Sequence, residues 1–533
     1  MIPSSNSQLL LLLALLTLSS AATQGSVPGI YLVTDEKNST KNASGMAMIQ
    51  PDYLRGGMAD SACGDVQTPS RRVLLEESMK TSLKMELKHR DHGQPTRNRR
   101  SLLLESLKRD ITRLQSFQKR VSEKLTASAN PEAYLEMTNS SSTKSPPSPS
   151  SSWEEVDSTV ESGAELGAGE YFMDVFVGNP PRHFLLIIDT GSDLTWLQCK
   201  PCKACFDQSG PVFDPSQSTS FKIIPCNAAA CDLVVHDECR DNSSKTSPKT
   251  CKYFYWYGDS SRTSGDLALE SLSVSLSDHP SSLEIRDMVI GCGHSNKGLF
   301  QGAGGLLGLG QGALSFPSQL RSSPIGQSFS YCLVDRTNNL SVSSAISFGA
   351  GFALSRHFDQ MRFTPFVRTN NSVETFYYLG IQGIKIDQEL LPIPAERFAI
   401  APNGSGGTII DSGTTLTYLN RDAYRAVESA FLARISYPRA DPFDILGICY
   451  NATGRTAVPF PTLSIVFQNG AELDLPQENY FIQPDPQEAK HCLAILPTDG
   501  MSIIGNFQQQ NIHFLYDVQH ARLGFANTDC SAL

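Results

Sequence analysis

Past Leu18 the chain has no apolar run long enough to cross a bilayer, so no membrane anchor is expected. The ending "NTDCSAL" fits neither a lipid-anchor tail nor an ER-retention signal. Several catalytic signatures are missing as well. There is no G-x-S-x-G elbow, no H-E-x-x-H and no G-x-x-x-x-G-K-[ST], which argues against a hydrolase serine, a zinc helix and a phosphate-binding loop. Cysteine is scarce early, with Cys63 alone before Cys199. Positive charge is scarce late. Residues 24–150 hold 19 Lys+Arg against 14 Asp+Glu, a net of +5, and the whole chain carries −10, which leaves −15 for the rest. An acidic body of that size argues against a nucleic-acid partner, whose phosphates it would repel, and suits work in acid, where protonation relieves some of the repulsion.

Among the residues that are present, Leu9–Leu18 is an aliphatic run followed by Ser19, Ser20, Ala21 and Ala22, the size of a signal-peptide core, although no Lys or Arg precedes it. It predicts a signal over 1–23 and secretion, to the apoplast or the vacuole. The twelve cysteines from Cys199 to Cys530 suit six disulfides in an oxidising compartment. Cys199, Cys202 and Cys205 have a spacing that resembles a metal site, but behind a signal peptide disulfides are the better reading, and no metal is expected. Sequons stand at Asn38 and Asn42, and later at Asn242, Asn339, Asn370, Asn403 and Asn451.

Length alone calls for at least two domains or lobes. Between Ser101 and Leu125, apolar residues recur at helical spacing (Leu103, Leu107, Ile111, Leu114, Val121, Leu125) among Lys and Arg, predicting a basic amphipathic helix. "RNRR" just before it reads equally as a processing site or a solvated basic patch. "NSSSTKSPPSPSSS" (139–152) reads as a linker. From Gly167 onward short runs rich in Val, Ile, Phe and Tyr alternate with turn residues, so the body is mostly antiparallel β. Arg421–Ile435, with Asn420 as its cap, is the clearest later helix.

One phrase occurs twice. "LLIIDTGSDLTWL" (185–197) and "GTIIDSGTTLTYL" (407–419) agree at seven of eleven positions from Ile187 and Ile409 onward. Each time an apolar strand leads into Asp, a hydroxyl residue and Gly. A carboxylate ending a buried strand needs hydrogen-bond donors; the glycine permits a tight loop, and Ser192 and Thr414 can donate. Two such loops facing each other would bring Asp189 and Asp411 together, where they cannot easily both ionise and so share a proton. A single copy would read as an ordinary Asx turn. Two copies inside a repeat are a strong signal.

With these residues in view, the region from Gly167 to Cys530 resembles a pepsin-like aspartic endopeptidase of the plant nepenthesin type. "GAGEYFMDVFVGNPP" resembles that group's first strand, "YWYGDSS" its flap, and "GLLGLG" and "SIIGNF" the strands behind each aspartate. The cysteine-rich 199–251 resembles its insertion, and no saposin-like insert is present. The resemblance implies a mostly β, bilobal pepsin-like fold, with lobes 167–355 and 356–533 around a cleft. It implies Asp189 and Asp411 as the catalytic pair, without metal or cofactor. Thr190 and Ser412 would cross-brace the loops, Ser192 and Thr414 would support the carboxylates, and Trp196 would support the flap tyrosine, Tyr257. Gly191, Gly413, Thr414, Gly258 and Asp259 would pair with an extended polypeptide substrate. Cys449 and Cys492 would be bonded. Residues 24–166 would be a prosegment, an intramolecular inhibitor whose basic helix clamps an acidic body and loosens in acid; a folding aid removed by another protease is the alternative. A monomer is expected. Two other readings compete: a catalytically silent protein of this fold that inhibits glycoside hydrolases, and a DNA-associated plastid protein, which the leader opposes.

Overall fold

The computed structural model describes residues 30–34, 83–89 and 99–129, and 171–532 apart from 235–238, 240–248, 258–260, 276–280, 299, 301, 324, 336–342, 350–357, 456 and 486. The leader, the Ser/Pro linker, Cys63, the sequons at Asn38, Asn42, Asn242 and Asn339, and the flap residues Gly258 and Asp259 lie outside the described residues.

The body is mostly β. Strand β1 (Arg182–Asp189) is buried from Phe184 through Asp189. Its unbroken apolar run fits a strand covered on both faces. It pairs in parallel with β2 (Gly305–Gly308), Asp189 opposite Gly308. β2 also pairs antiparallel with Trp196–Gln198, the strand leaving the Asp189 loop. The second copy repeats this plan. β3 (Thr408–Ile410) pairs in parallel with β4 (Ser502–Ile504), and Ile503 lies opposite Tyr418 on the returning strand Thr417–Asn420. A repeated phrase has thus folded into a repeated unit, a carboxylate loop backed by a crossing strand.

The crossing is close. A β-carbon on Gly308 would stand 2.1 Å from the Asp193 carbonyl oxygen, and one on Gly505 2.3 Å from that of Leu416. Both neighbours are backbone, so neither can give way.

A longer sheet joins the two halves. From one side it runs Arg362–Pro365, Arg522–Asn527, Ile512–Asp517, Phe329–Cys332, Ser344–Phe348, Leu83–His89, Tyr171–Val177 and then β1. Leu83–His89 was assigned to no element in the sequence reading. It sits in mid-sheet, with Leu87 paired to both Ser344 and Met173. Its alternation of Leu83, Met85 and Leu87 with Lys84, Glu86 and Lys88 is the period of a strand with one buried face.

Helix α1 (Arg99–Ala129) extends the predicted helix by two residues at its start and four at its end. Ser106, Leu107, Asp110, Phe117 and Val121 are buried along it, whereas Ile111, expected on the apolar stripe, is 41% exposed. The docked face is therefore rotated from the one apolar spacing suggested, because it includes polar residues. Helix α2 (Arg421–Arg434) is capped by the Asn420 side chain, which accepts from the Asp422 amide at 3.1 Å. The cysteines after residue 198 form six disulfides: Cys199–Cys292, Cys202–Cys205, Cys226–Cys239, Cys231–Cys251, Cys332–Cys530 and Cys449–Cys492.

Gly505→Ala is expected to destabilise the body by about 1–3 kcal/mol, because the new methyl meets backbone that cannot move. A thermal unfolding midpoint equal to that of the unsubstituted protein would contradict this packing account.

Candidate active site

Asp189 ends β1, and Asp411 follows β3 directly; both are fully buried. Within each loop the same donors meet the carboxylate. The Gly191 amide donates to Asp189 Oδ1 at 2.9 Å, and the Gly413 amide to Asp411 Oδ1 at 3.1 Å. Ser192 Oγ and Thr414 Oγ1 donate to the outer oxygens Asp189 Oδ2 and Asp411 Oδ2.

The loops also hold each other. The Thr190 amide donates to Ser412 Oγ at 3.1 Å, and the Ser412 amide to Thr190 Oγ1 at 2.9 Å. The two hydroxyls then donate to the Ile410 and Ile188 carbonyls, at 3.4 and 3.1 Å. Asn506 Nδ2 donates to the Ser412 carbonyl at 2.8 Å, tying the second loop to the segment after β4. These bonds press each loop against the opposite carboxylate. A β-carbon on Gly191 would be 2.8 Å from Asp411 Oδ1, and one on Gly413 2.6 Å from Asp189 Oδ1. Glycine is the residue that allows this approach.

Tyr257 lies at the edge of the flap hairpin, where its amide donates to the Ser261 carbonyl at 2.8 Å. Trp196 Nε1 donates to the Tyr257 hydroxyl at 2.7 Å. The carboxylate pair, the hydroxyl donors, the braces and the Trp196–Tyr257 contact therefore converge on one place. Asn370, Asn403 and Asn451 are exposed elsewhere on the surface. Among the described residues no group of three or more His, Cys, Asp or Glu could hold a metal ion.

One cation at the site has no counterpart in the sequence reading. α1 lies along the cleft and places Arg113 between the aspartates. Its Nη2 donates to Asp189 Oδ1 and, at 2.9 Å, to Asp411 Oδ1; its Nε donates to Asp411 Oδ2 at 2.6 Å and to Thr414 Oγ1 at 3.1 Å. Burial pushes the Asp189 carboxyl up, but the Arg113 charge, with Ser192 and the Gly191 amide, more than reverses this and holds it below the ordinary value. Burial likewise works against the Arg113 charge, and the two carboxylates outweigh it. One turn earlier, Asp110 accepts from the Thr415 and Leu416 amides at 2.7 and 2.8 Å. Burial raises its carboxyl to about 7, against the pull of those amides and of Arg109. Around this polar spine α1 fills apolar hollows, with Leu107 among Leu416, Tyr418, Phe443 and Phe507, and Phe117 and Val121 among Phe376, Tyr378, Ile409 and Ile503. The spacing of Asp110, Arg113, Phe117 and Arg120, each three or four residues from the last, was the available signal. Apolar periodicity passes over it.

The chain matches the family models described as xylanase inhibitor N-terminal, over residues 171–350, and xylanase inhibitor C-terminal, over 376–527. It is similar to aspartyl protease family protein 2 of Arabidopsis thaliana, 42% identical across 70% of this chain and 74% of that one. It is similar also to aspartic proteinase nepenthesin-1 of Nepenthes gracilis, 38% identical across 70% and 81%. Among solved structures the basic 7S globulin from soybean shares the fold, with a TM-score of 0.54 and 20% identity over 68% of this chain and 95% of that one.

Thr190→Val keeps the side-chain shape but leaves the buried Ser412 amide without an acceptor. It is expected to cost about 1–3 kcal/mol, read as a lowered denaturant midpoint. An unchanged midpoint would mean that the brace carries no load.

Proposed function

The chain belongs to the pepsin-like aspartic proteases of the plant nepenthesin type, and from that premise we infer that it is a secreted endopeptidase, working in acid and made in a form that α1 holds shut. The observation that carries this reading is Arg113. A single guanidinium nitrogen reaches Oδ1 of both Asp189 and Asp411, so the two carboxyls lie one small group apart. With α1 withdrawn, that place suits a water. Two carboxyls so close would share one proton. The ionised member takes a proton from the water as it attacks the scissile carbonyl, and the protonated member donates to the developing oxyanion. An extended substrate would pair with the main chain at Gly191 and Gly413 and with the flap around Gly258 and Asp259, beneath Tyr257.

The same contacts predict how the closed form responds to pH. Docking of α1 holds Asp189 below its ordinary value of 3.8. The stability this supplies is fully present above that value and is lost as pH falls below it. Asp110 works the other way. Its docked value, about 7, lies above the ordinary 3.8, so its contribution to docking grows as pH falls from 7 towards 4 and is lost as pH rises. Net charge alone suggests a clamp that loosens in acid; these two groups instead keep it shut in weak acid and let go only below about pH 4.

A second reading, a silent inhibitor of glycoside hydrolases, is favoured by the descriptions of the two matching family models. Against it stand both aspartates with their hydroxyl donors, and the Trp196–Tyr257 contact. Acid-dependent peptide cleavage blocked by a statine-type inhibitor separates the two.

In processed, folded protein, Asp189→Ala or Asp411→Ala is expected to abolish that cleavage, and substantial residual activity would overturn the assignment. The full-length protein is expected to stay intact and inactive at about pH 5–6 and to become active below about pH 4. Arg113→Gln should move the onset of activity to higher pH, and an unmoved onset would show that the Arg113 bridge is not what holds α1.

A further inference from the structure

Two turns after Arg113, α1 seats a second cation. The Arg120 guanidinium lies 5.0 Å from the ring centre of Tyr255, 5.8 Å from Tyr257, 5.9 Å from Phe376 and 5.9 Å from Phe117. Its Nη1 donates to the Gly191 carbonyl at 2.9 Å, while Nη2 is buried among the rings and has no hydrogen-bond partner among the described residues. Nearby, the buried Asp193 carboxyl accepts from Thr375 Oγ1 at 2.6 Å and from the Gly312 amide at 2.8 Å; burial holds it above the ordinary value against the pull of these donors and of the Arg120 charge. Ring faces attract a cation, and they do so most when water is kept out.

Of these walls only Phe117 belongs to α1. Tyr255 and Tyr257 belong to the flap hairpin, Phe376 to the second half of the body, and the carbonyl to the Asp189 loop. All of them remain when α1 departs. We propose that they form a cation-accepting subsite of the cleft, which selects peptide substrates carrying an arginine or lysine side chain at that position.

The proposal rests on the reading above, that α1 occupies a peptide-cleaving cleft and leaves it. An apolar side chain would also fit between the rings, but it would gain neither the attraction to their faces nor a bond to the carbonyl. A carbonyl oxygen has two lone pairs, so a substrate amide on Gly191 does not displace the cation. An acidic side chain would meet the negative faces of three rings with the Asp193 and Asp189 carboxyls close behind. The subsite therefore discriminates by charge.

The test uses the full-length protein after acid processing, with quenched fluorescent peptides of one apolar core. The set differs only in having Arg, Lys, norleucine or Glu at each position in turn on both sides of the scissile bond. At one position Arg and Lys are expected to raise kcat/KM about ten-fold over norleucine, with Glu lowest. Tyr255→Leu should bring the Arg-to-norleucine and Lys-to-norleucine ratios of kcat/KM most of the way to one. If Arg and Lys give no gain at any position, or Tyr255→Leu keeps the gain, the subsite is wrong while the protease reading stands. If no peptide is cleaved by the processed protein, the protease reading falls and takes the subsite with it.

Discussion

Two carboxyl groups facing each other in a dry interior repel, and something must supply a positive partner or a proton. Much of this structure answers that demand. Amide and hydroxyl donors reach each carboxylate from its own loop, and a guanidinium from α1 lies between them. Because Arg113 answers the charge of both aspartates at once, the two aspartate loops keep their reciprocal bonds with α1 in place.

The reciprocal bonds between Thr190 and Ser412 keep this geometry independent of what sits in the cleft. Each hydroxyl serves as acceptor for the other loop's amide and as donor to the strand leading into it. Neither half can tilt without breaking bonds made by the other. The hydrophobic-hydrophobic-Gly strands behind the loops add a second restraint, since their glycines let backbone pass against backbone. Pairs of buried polar groups that satisfy one another completely are a stiff way to join two halves of a molecule.

The sequence made the repeated unit legible, because two copies of an eleven-residue phrase announce both the loops and their equivalence. Helix α2 was legible for a local reason, its Asn420 cap and apolar spacing. The contents of the cleft were harder to read. Arg113 and Arg120 are two among many basic residues upstream; their helical spacing with Asp110 and Phe117 marks a shared face, but not the carboxylates and ring faces far along the chain that this face meets. The apolar stripe chosen by periodicity included Ile111, which turned out exposed, since the docking face trades apolar residues for Asp110 and Arg113. Leu83–His89 carried a clean two-residue alternation and was still overlooked, because it is short and lies in a stretch otherwise polar. Its partners come from two places far along the chain, and such pairing is visible only in three dimensions.

If α1 is removed as proposed, that strand has a fate of its own. Leu83–His89 lies between Tyr171–Val177 and Ser344–Phe348, bonded on both sides. A cut after residue 89 that frees the helix would leave this strand paired on both sides. Evicting it would open a slot through the sheet that joins the two lobes, with two rows of unsatisfied amides and carbonyls lining the gap. Either the fragment remains as a stowaway, or some other extended stretch must slide into the vacancy.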